Sequence, residues 1–145
     1  MDPDCLFCKI AAKTIPAKIV YEDDHTLAFL DIMPRATGHT MVITKYHAPT
    51  LAALPDGEIA PLFDAVKKVS QRIAAALYPD GITIGINQGR ASGQEVDHLH
   101  VHLIPRWNGD GGGSLQSVVH PSNRSGVPQD SLEDVAKKIF TSVVA

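Results

Sequence analysis

The sequence predicts an α+β domain built on an antiparallel meander of five or so strands. Three observations carry that reading. Short stretches with strand-like alternation follow one another with turn signals between them, one long segment repeats its apolar residues at three- and four-residue steps, and 145 residues with 44% hydrophobic content suit one compact core.

From the N-terminus, Leu6, Phe7, Ile10 and Ala11 space a short helix over Leu6 to Thr14, stopped at Ile15-Pro16 because the residue before proline avoids helical angles. Lys18 to Glu22 and Thr26 to Asp31 flank the tight-turn pair Asp23-Asp24 and read as a hairpin. After the loop Met33 to Thr37, the alternating GHTMVIT of Gly38 to Thr44 supplies a third strand. Over Glu58 to Leu77, the residues Ile59, Leu62, Phe63, Val66, Val69, Ile73 and Leu77 form an amphipathic stripe, with Pro61 in a first turn that tolerates it. Tyr78-Pro79-Asp80-Gly81 ends that helix, Ile82 to Asn87 forms a strand, and the loop Gln88 to Gln94 (QGRASGQ) leads into DHLHVHLIPRW, Asp97 to Trp107. The following NGDGGGS predicts a mobile loop, and a final helix, Leu132 to Val143, starts behind the SLED box of Ser131. One domain therefore spans 1–145, with its core over about residues 5–107 and a loop and helix over 108–145.

The net charge of -3 comes from 13 basic and 16 acidic residues that are interleaved. Without a basic stripe there is no footprint for a phosphate backbone, which argues against a nucleic-acid polymer as partner. No long apolar run could span a membrane, and MDPDCLFCKI has acids where a signal peptide has a basic region, so the expected location is cytoplasmic.

The strongest signal is the row His98, His100 and His102. On a strand these point to one side, while Leu99, Val101 and Leu103 point to the other and anchor a core. Imidazoles spaced about 7 Å apart along a strand can touch successive atoms of an extended polar ligand. A half-buried strand more commonly carries a plain solvated face, but such faces draw on Thr, Lys, Glu and Ser. Histidine offers a neutral nitrogen nucleophile near pH 7 and, protonated, a cation and proton donor. A phosphoryl centre needs both; a metal site is the main competing reading.

HLHVHLI (residues 98–104) resembles the histidine-triad signature of the HIT superfamily of nucleotide hydrolases and nucleotidyl transferases. The likeness runs through about Trp107 and includes FCKI, IPAKIVYEDDHTLAFLDI, GHTMVITKYH and INQGRASGQ. It is nearest to small Hint-like and bacterial HIT proteins, with Fhit-like diadenosine polyphosphate hydrolases next. The resemblance implies a five-stranded antiparallel sheet extended to ten strands in a homodimer, and a purine nucleotide substrate cut at the α-phosphate. It makes His100 the nucleophile that forms a covalent nucleotidyl-histidine and gives His102 the phosphate oxygens. Asn87, Gly93, Gln94 and Glu95 would frame the phosphate. Phe7, Ile10, Phe29 and Ile32, with Leu6 beside them, would form the base cleft, and Asp31 would bind the ribose hydroxyls. Taken singly, those apolar residues read as core.

This chain departs from the Hint-like pattern at Glu95, where such members carry a hydroxyl residue; a carboxylate beside a phosphate is repelled, which leaves the leaving group open. Pro105-Arg106-Trp107 looks nearer to Fhit-like and bacterial members, and Arg106 could either fork onto a distal phosphate or lie exposed. Cys5 and Cys8 have metal-ligand spacing, but one pair fits a redox couple or two thiols equally well. The resemblance adds His47 and His98 as the other ligands of one structural zinc. A shell closed by four protein ligands has no open position to activate water, which leaves the chemistry with His100. His25 and His120 read as surface residues, and His39 as a neighbour of the phosphates. The function expected is a hydrolase of a nucleoside phosphoramidate or adenylate. The alternatives are a dinucleoside polyphosphate hydrolase and a low-turnover nucleotide- and zinc-binding module.

Overall fold

The computed structural model describes residues 2–119 and 130–144; His120 lies outside them. The chain forms two compact units, Met1–Leu115 and Gln116–Ala145. The first holds an open five-stranded antiparallel sheet: β1 (Ile19–Glu22), β2 (Thr26–Leu30), β3 (Thr40–Thr44), β4 (Gly81–Gly85) and β5 (His100–Arg106). Two helices join it, α1 (Leu6–Ala11) and the long α2 (Asp56–Leu77). In the second unit α3 (Leu132–Thr141) begins at Ser131, whose hydroxyl accepts from the Asp134 amide as the SLED sequence implies.

The expected meander holds for β1, β2 and β3 and then breaks. The order is β1-β2-β3-β5-β4, so β5 sits between β3 and β4. The reason is α2: a helix of 22 residues is about 33 Å long and carries the chain past the neighbouring position to the sheet edge. The short connection to β5 then fills the gap. This crossover sets β5 against β3, with Met41 opposite His102 and Ile43 opposite His100.

Alternation along the strands divides the core in two. Ala28, Val42, Leu99, Val101 and Leu103 face α2 and pack on Leu62, Val66 and Val69. Leu27, Phe29, Met41 and Ile43 face the other way and pack on Phe7 and Ile10 of α1. Fully buried side chains such as Leu27, Leu62 and Leu103 each contribute about 2 kcal/mol of hydrophobic stabilisation.

Helix α2 starts two residues earlier than its spacing predicts, which puts Pro61 beyond the first turn. The carbonyl that loses its donor is that of Gly57, which is exposed to water. At its C-terminus Tyr78 adopts the left-handed conformation and Pro79 prevents continuation. The glycine-rich loop, which its composition predicts to be mobile, makes several hydrogen bonds. Arg106 clamps Asp110 through Nε (2.6 Å) and Nη2 (2.8 Å) and donates to the Gly113 carbonyl, while the Asn108 amide donates to Asp80. No helix among the described residues is long and apolar enough to cross a membrane.

Candidate active site

The three histidines do not form one uniform row. Strand β5 begins at His100, so His98 lies before it, in a bend held by the Leu99 amide on the Ala48 carbonyl. Each ring takes a different set of partners.

His98 is fully buried and its Nε2–H donates to the Thr44 carbonyl at 2.8 Å. A carbonyl can only accept, so Nδ1 carries the lone pair. That lone pair faces the sulfurs of Cys5 (3.4 Å) and Cys8 (3.6 Å). His47 aims its Nδ1 at Cys8 (3.4 Å), with Asp2 on the side of its Nε2, and the Asp2 amide donates to Cys8 sulfur. The four donor atoms lie within 4.8 Å of one another. A tetrahedral zinc with ordinary bond lengths would set sulfur and nitrogen about 3.6 Å apart, so the spacing and the tautomer of His98 both suit that ion. Burial pulls His98 down to about 4 against its hydrogen bond to Thr44, and pushes the Cys8 thiol up.

His100 is buried and its Nδ1–H donates to the carbonyl of His98 at 2.7 Å. In the neutral ring the lone pair is therefore on Nε2. Phe7 meets the ring edge-on, with centroids 5.2 Å apart, and also touches Phe29 and His98. Phe7 thus braces the ring and fixes its direction.

His102 is half-buried, with its ring 4.9 Å from that of His100. Its Nδ1 lies 2.9 Å from Nε2 of the buried His39. His39 ends a tight loop: the Asp31 amide donates to its carbonyl, its own amide donates to Ala36, and the Arg35 amide donates to its Nδ1. Gly38 makes that loop possible with φ +84°, close against Leu77, where a Cβ would collide. Asp31 accepts from the Met33 amide through one oxygen, and its other lies 3.7 Å from His39. Burial is the main cause that lowers His102 to about 4, with His100 and His39 adding and Asp31 opposing. Burial also lowers His39. Among the described residues every buried side-chain nitrogen and oxygen has a partner.

The remaining expected site residues are divided. Phe7, Ile10 and Phe29 are buried in the core beneath the histidines, whereas Ile32 is 93% exposed and Leu6 is exposed. Asn87 and Glu95 are exposed. Gln94 is buried, and its side chain is spent on the loop: it donates to the carbonyls of Pro49 and Val96 and accepts from the Gly89 amide. The amides of Gly93 and Gln94 also turn inward, to Arg90 and Gly89. These two residues shape the loop instead of offering donors outward. Arg106, expected either on a phosphate or exposed, is committed to Asp110, Gly113 and Thr83. His25 is a surface residue paired with Glu58. The contact that the sequence did not reveal is His39 with His102, and its only local trace is the glycine before His39.

Residues 12–109 match the HIT domain family. A HIT-like protein of Methanocaldococcus jannaschii is 50% identical over 107 residues, covering 74% of this chain and 82% of its own length. The adenosine 5'-monophosphoramidase of Saccharomyces cerevisiae is 41% identical over 106 residues, covering 73% and 65%. Among solved structures, a HIT family protein from Bacillus subtilis superposes with a TM-score of 0.82 at 36% identity, covering 98% and 99%. A Zn-bound histidine triad family protein from Mycobacterium smegmatis superposes with a TM-score of 0.71 at 38% identity, covering 74% and 78%.

Proposed function

This chain belongs to the HIT domain family, and from that premise we propose that it is a nucleotide hydrolase that cuts a purine nucleoside phosphoramidate or adenylate at the α-phosphorus through a nucleotidyl-histidine at His100. One observation carries the reading: the His98 carbonyl holds the Nδ1–H of His100, so that in the neutral ring the lone pair sits on Nε2 as a nucleophile of fixed direction. In the first step, on a phosphoramidate, the Nε2 lone pair forms a bond to phosphorus and the bond to the leaving nitrogen breaks, the nitrogen keeping the electron pair and taking up a proton from solvent so that it departs as the amine. In the second, water attacks phosphorus and gives up a proton to solvent, while the phosphorus–nitrogen bond breaks with its electron pair returning to Nε2, which restores His100 and releases the nucleoside monophosphate. His102 holds the phosphoryl oxygens, and Asp31 takes the ribose hydroxyls.

The relationship to a monophosphoramidase supports an amine leaving group. The exposed carboxylate of Glu95 supports the same choice over a diadenosine polyphosphate, whose departing phosphates it would repel. The test is single-turnover incubation with adenosine phosphoramidate labelled in its nucleotide. Acid-labile, base-stable label on the protein is expected, and its absence despite turnover would refute the covalent step. A panel adding diadenosine tri- and tetraphosphate ranks the leaving groups. Binding without turnover of any member would leave only a nucleotide-binding module.

Cys5, Cys8, His47 and His98 would hold a structural zinc, which would tie α1 and Phe7 to the sheet. The working form is proposed to be a homodimer. Edge strand β4 and the exposed Ile59 and Phe63 of α2 supply a surface for it, and sedimentation at micromolar concentration is the check.

A further inference from the structure

We propose that His39 is a positioning residue: through its Nε2–H it fixes His102 as the tautomer that presents an Nε2–H donor to the site.

The argument begins at a group whose role cannot change. A backbone N–H is always a donor, and the Arg35 amide points at Nδ1 of His39 at 3.1 Å. Nδ1 must therefore hold a lone pair, which in a neutral ring puts the proton of His39 on Nε2. That proton has one partner at hydrogen-bond distance, Nδ1 of His102 at 2.9 Å; the Asp31 oxygen at 3.7 Å is too far. His102 must then accept at Nδ1 and carry its own proton on Nε2. The opposite arrangement would place a proton on His39 Nδ1 against the Arg35 N–H, two donors face to face in a buried site. A doubly protonated His39 has the same collision, and burial already disfavours its charge.

The same logic removes a competing reading. Asp31, His39 and His102 offer donor atoms within 4.8 Å of one another, an arrangement that on composition alone could hold a cation. A cation on Nε2 of His39 would have to displace the proton that the Arg35 amide keeps there. The cluster is built to point a proton inward.

The consequence for chemistry rests on the hydrolase reading above. A neutral Nε2–H on His102, beside His100, gives a phosphoryl oxygen a hydrogen bond that strengthens as charge builds in the transition state. The wrong tautomer would turn a lone pair toward that oxygen. The loop holds the device in place, since backbone groups of Asp31, Arg35 and Ala36 all bond to His39 and Gly38 supplies the positive φ that the turn needs.

The deciding measurement needs no turnover. In the full-length wild-type protein at neutral pH, imidazole nitrogen NMR, assigned with a His102→Gln variant, reads the tautomer of His102 directly. Nε2–H is expected; Nδ1–H would overturn the proposal. Two variants then divide the imidazole. His39→Asn keeps an acceptor near the Arg35 amide, but its amide N–H falls short of the position of Nε2, while His39→Gln keeps a donor near that position. The Asn protein should show His102 in mixed tautomers and kcat for adenosine phosphoramidate lowered about 10- to 100-fold with KM little changed, and the Gln protein should recover most of that loss. Equal losses in both variants, or a His102 tautomer unchanged in the Asn protein, would overturn it. Wild type without turnover on any nucleotide would count against the hydrolase reading alone, because the tautomer measurement still decides this one.

Discussion

Two histidine clusters flank His100, and they are wired in opposite senses. Around Cys5, Cys8, His47 and His98, a backbone carbonyl takes the outer proton of His98 and turns its lone pair inward. Around Asp31, His39 and His102, a backbone amide takes the outer lone pair of His39 and turns a proton inward. The side chains overlap in type, yet one set suits a metal and the other a hydrogen-bond relay. The difference lies in a single main-chain group at the rim of each cluster. Residue composition thus says less about a histidine site than the donor or acceptor standing behind each ring.

The largest effect that tests this contrast should come from the ring between the clusters. His100→Ala should lower turnover by several powers of ten while nucleotide affinity and metal content persist, because each cluster is closed without it. Metal loss in that variant would show that the clusters are not separable. Next, Cys8→Ser should empty the metal cluster, leaving zinc below roughly a tenth of an equivalent by elemental analysis. Unfolding free energy should drop by about 4 kcal/mol when wild type is compared at free zinc a thousandfold above its dissociation constant. Activity should fall less than in the His100 variant. Retention of full zinc would sink the assignment of Cys8 as a ligand.

Acid should strain both clusters in the same direction. His102, like His98, is held near 4 in the folded protein against an ordinary 6.5, so between those values the unfolded chain binds more protons. Stability from this source is complete above about pH 6.5 and is lost as pH falls toward 4. Urea midpoints of chelator-treated protein should decline over that window; a flat profile would mean the rings are solvated. A smaller loss is expected from Gly38→Ala, about 1 to 3 kcal/mol, because the residue combines positive φ with contact against Leu77. The damage should reach the relay and spare zinc content. Smallest of all, Glu95→Gln should raise the rate on diadenosine polyphosphates relative to the phosphoramidate by only a few fold, since the carboxylate is exposed.

Local pattern made the strands and α2 legible, whereas the proposed metal ligands His47 and His98 came only from the family resemblance. Period-two alternation carries β3 and β5, the three- and four-residue steps carry α2, and the spacing of Cys5 and Cys8 alone leaves ligands, a redox couple and two thiols all open. The strand order was not legible, because no local residue says that α2 will overshoot to the sheet edge. With it went the contact of His39 and His102, 63 residues apart and adjacent only once β5 pairs with β3. Arg106 misled for a related reason. A guanidinium at the end of β5 reads equally as a phosphate fork or an exposed side chain, and the clamp on Asp110 forms only when the chain folds back.

The carbonyl of residue 98 has a consequence for how such a chain can diverge. His98 faces the Cys5 sulfur with its imidazole and holds His100, the proposed nucleophile, with its main chain. Any amino acid possesses that carbonyl. A descendant could discard Cys5, Cys8 and His47 and change residue 98 as well, yet keep the grip on its nucleophile, provided new packing replaced the anchor of α1. On the proposed assignments metal binding and catalysis would meet at one residue without being tied to the same atoms, so selection could dispose of them independently.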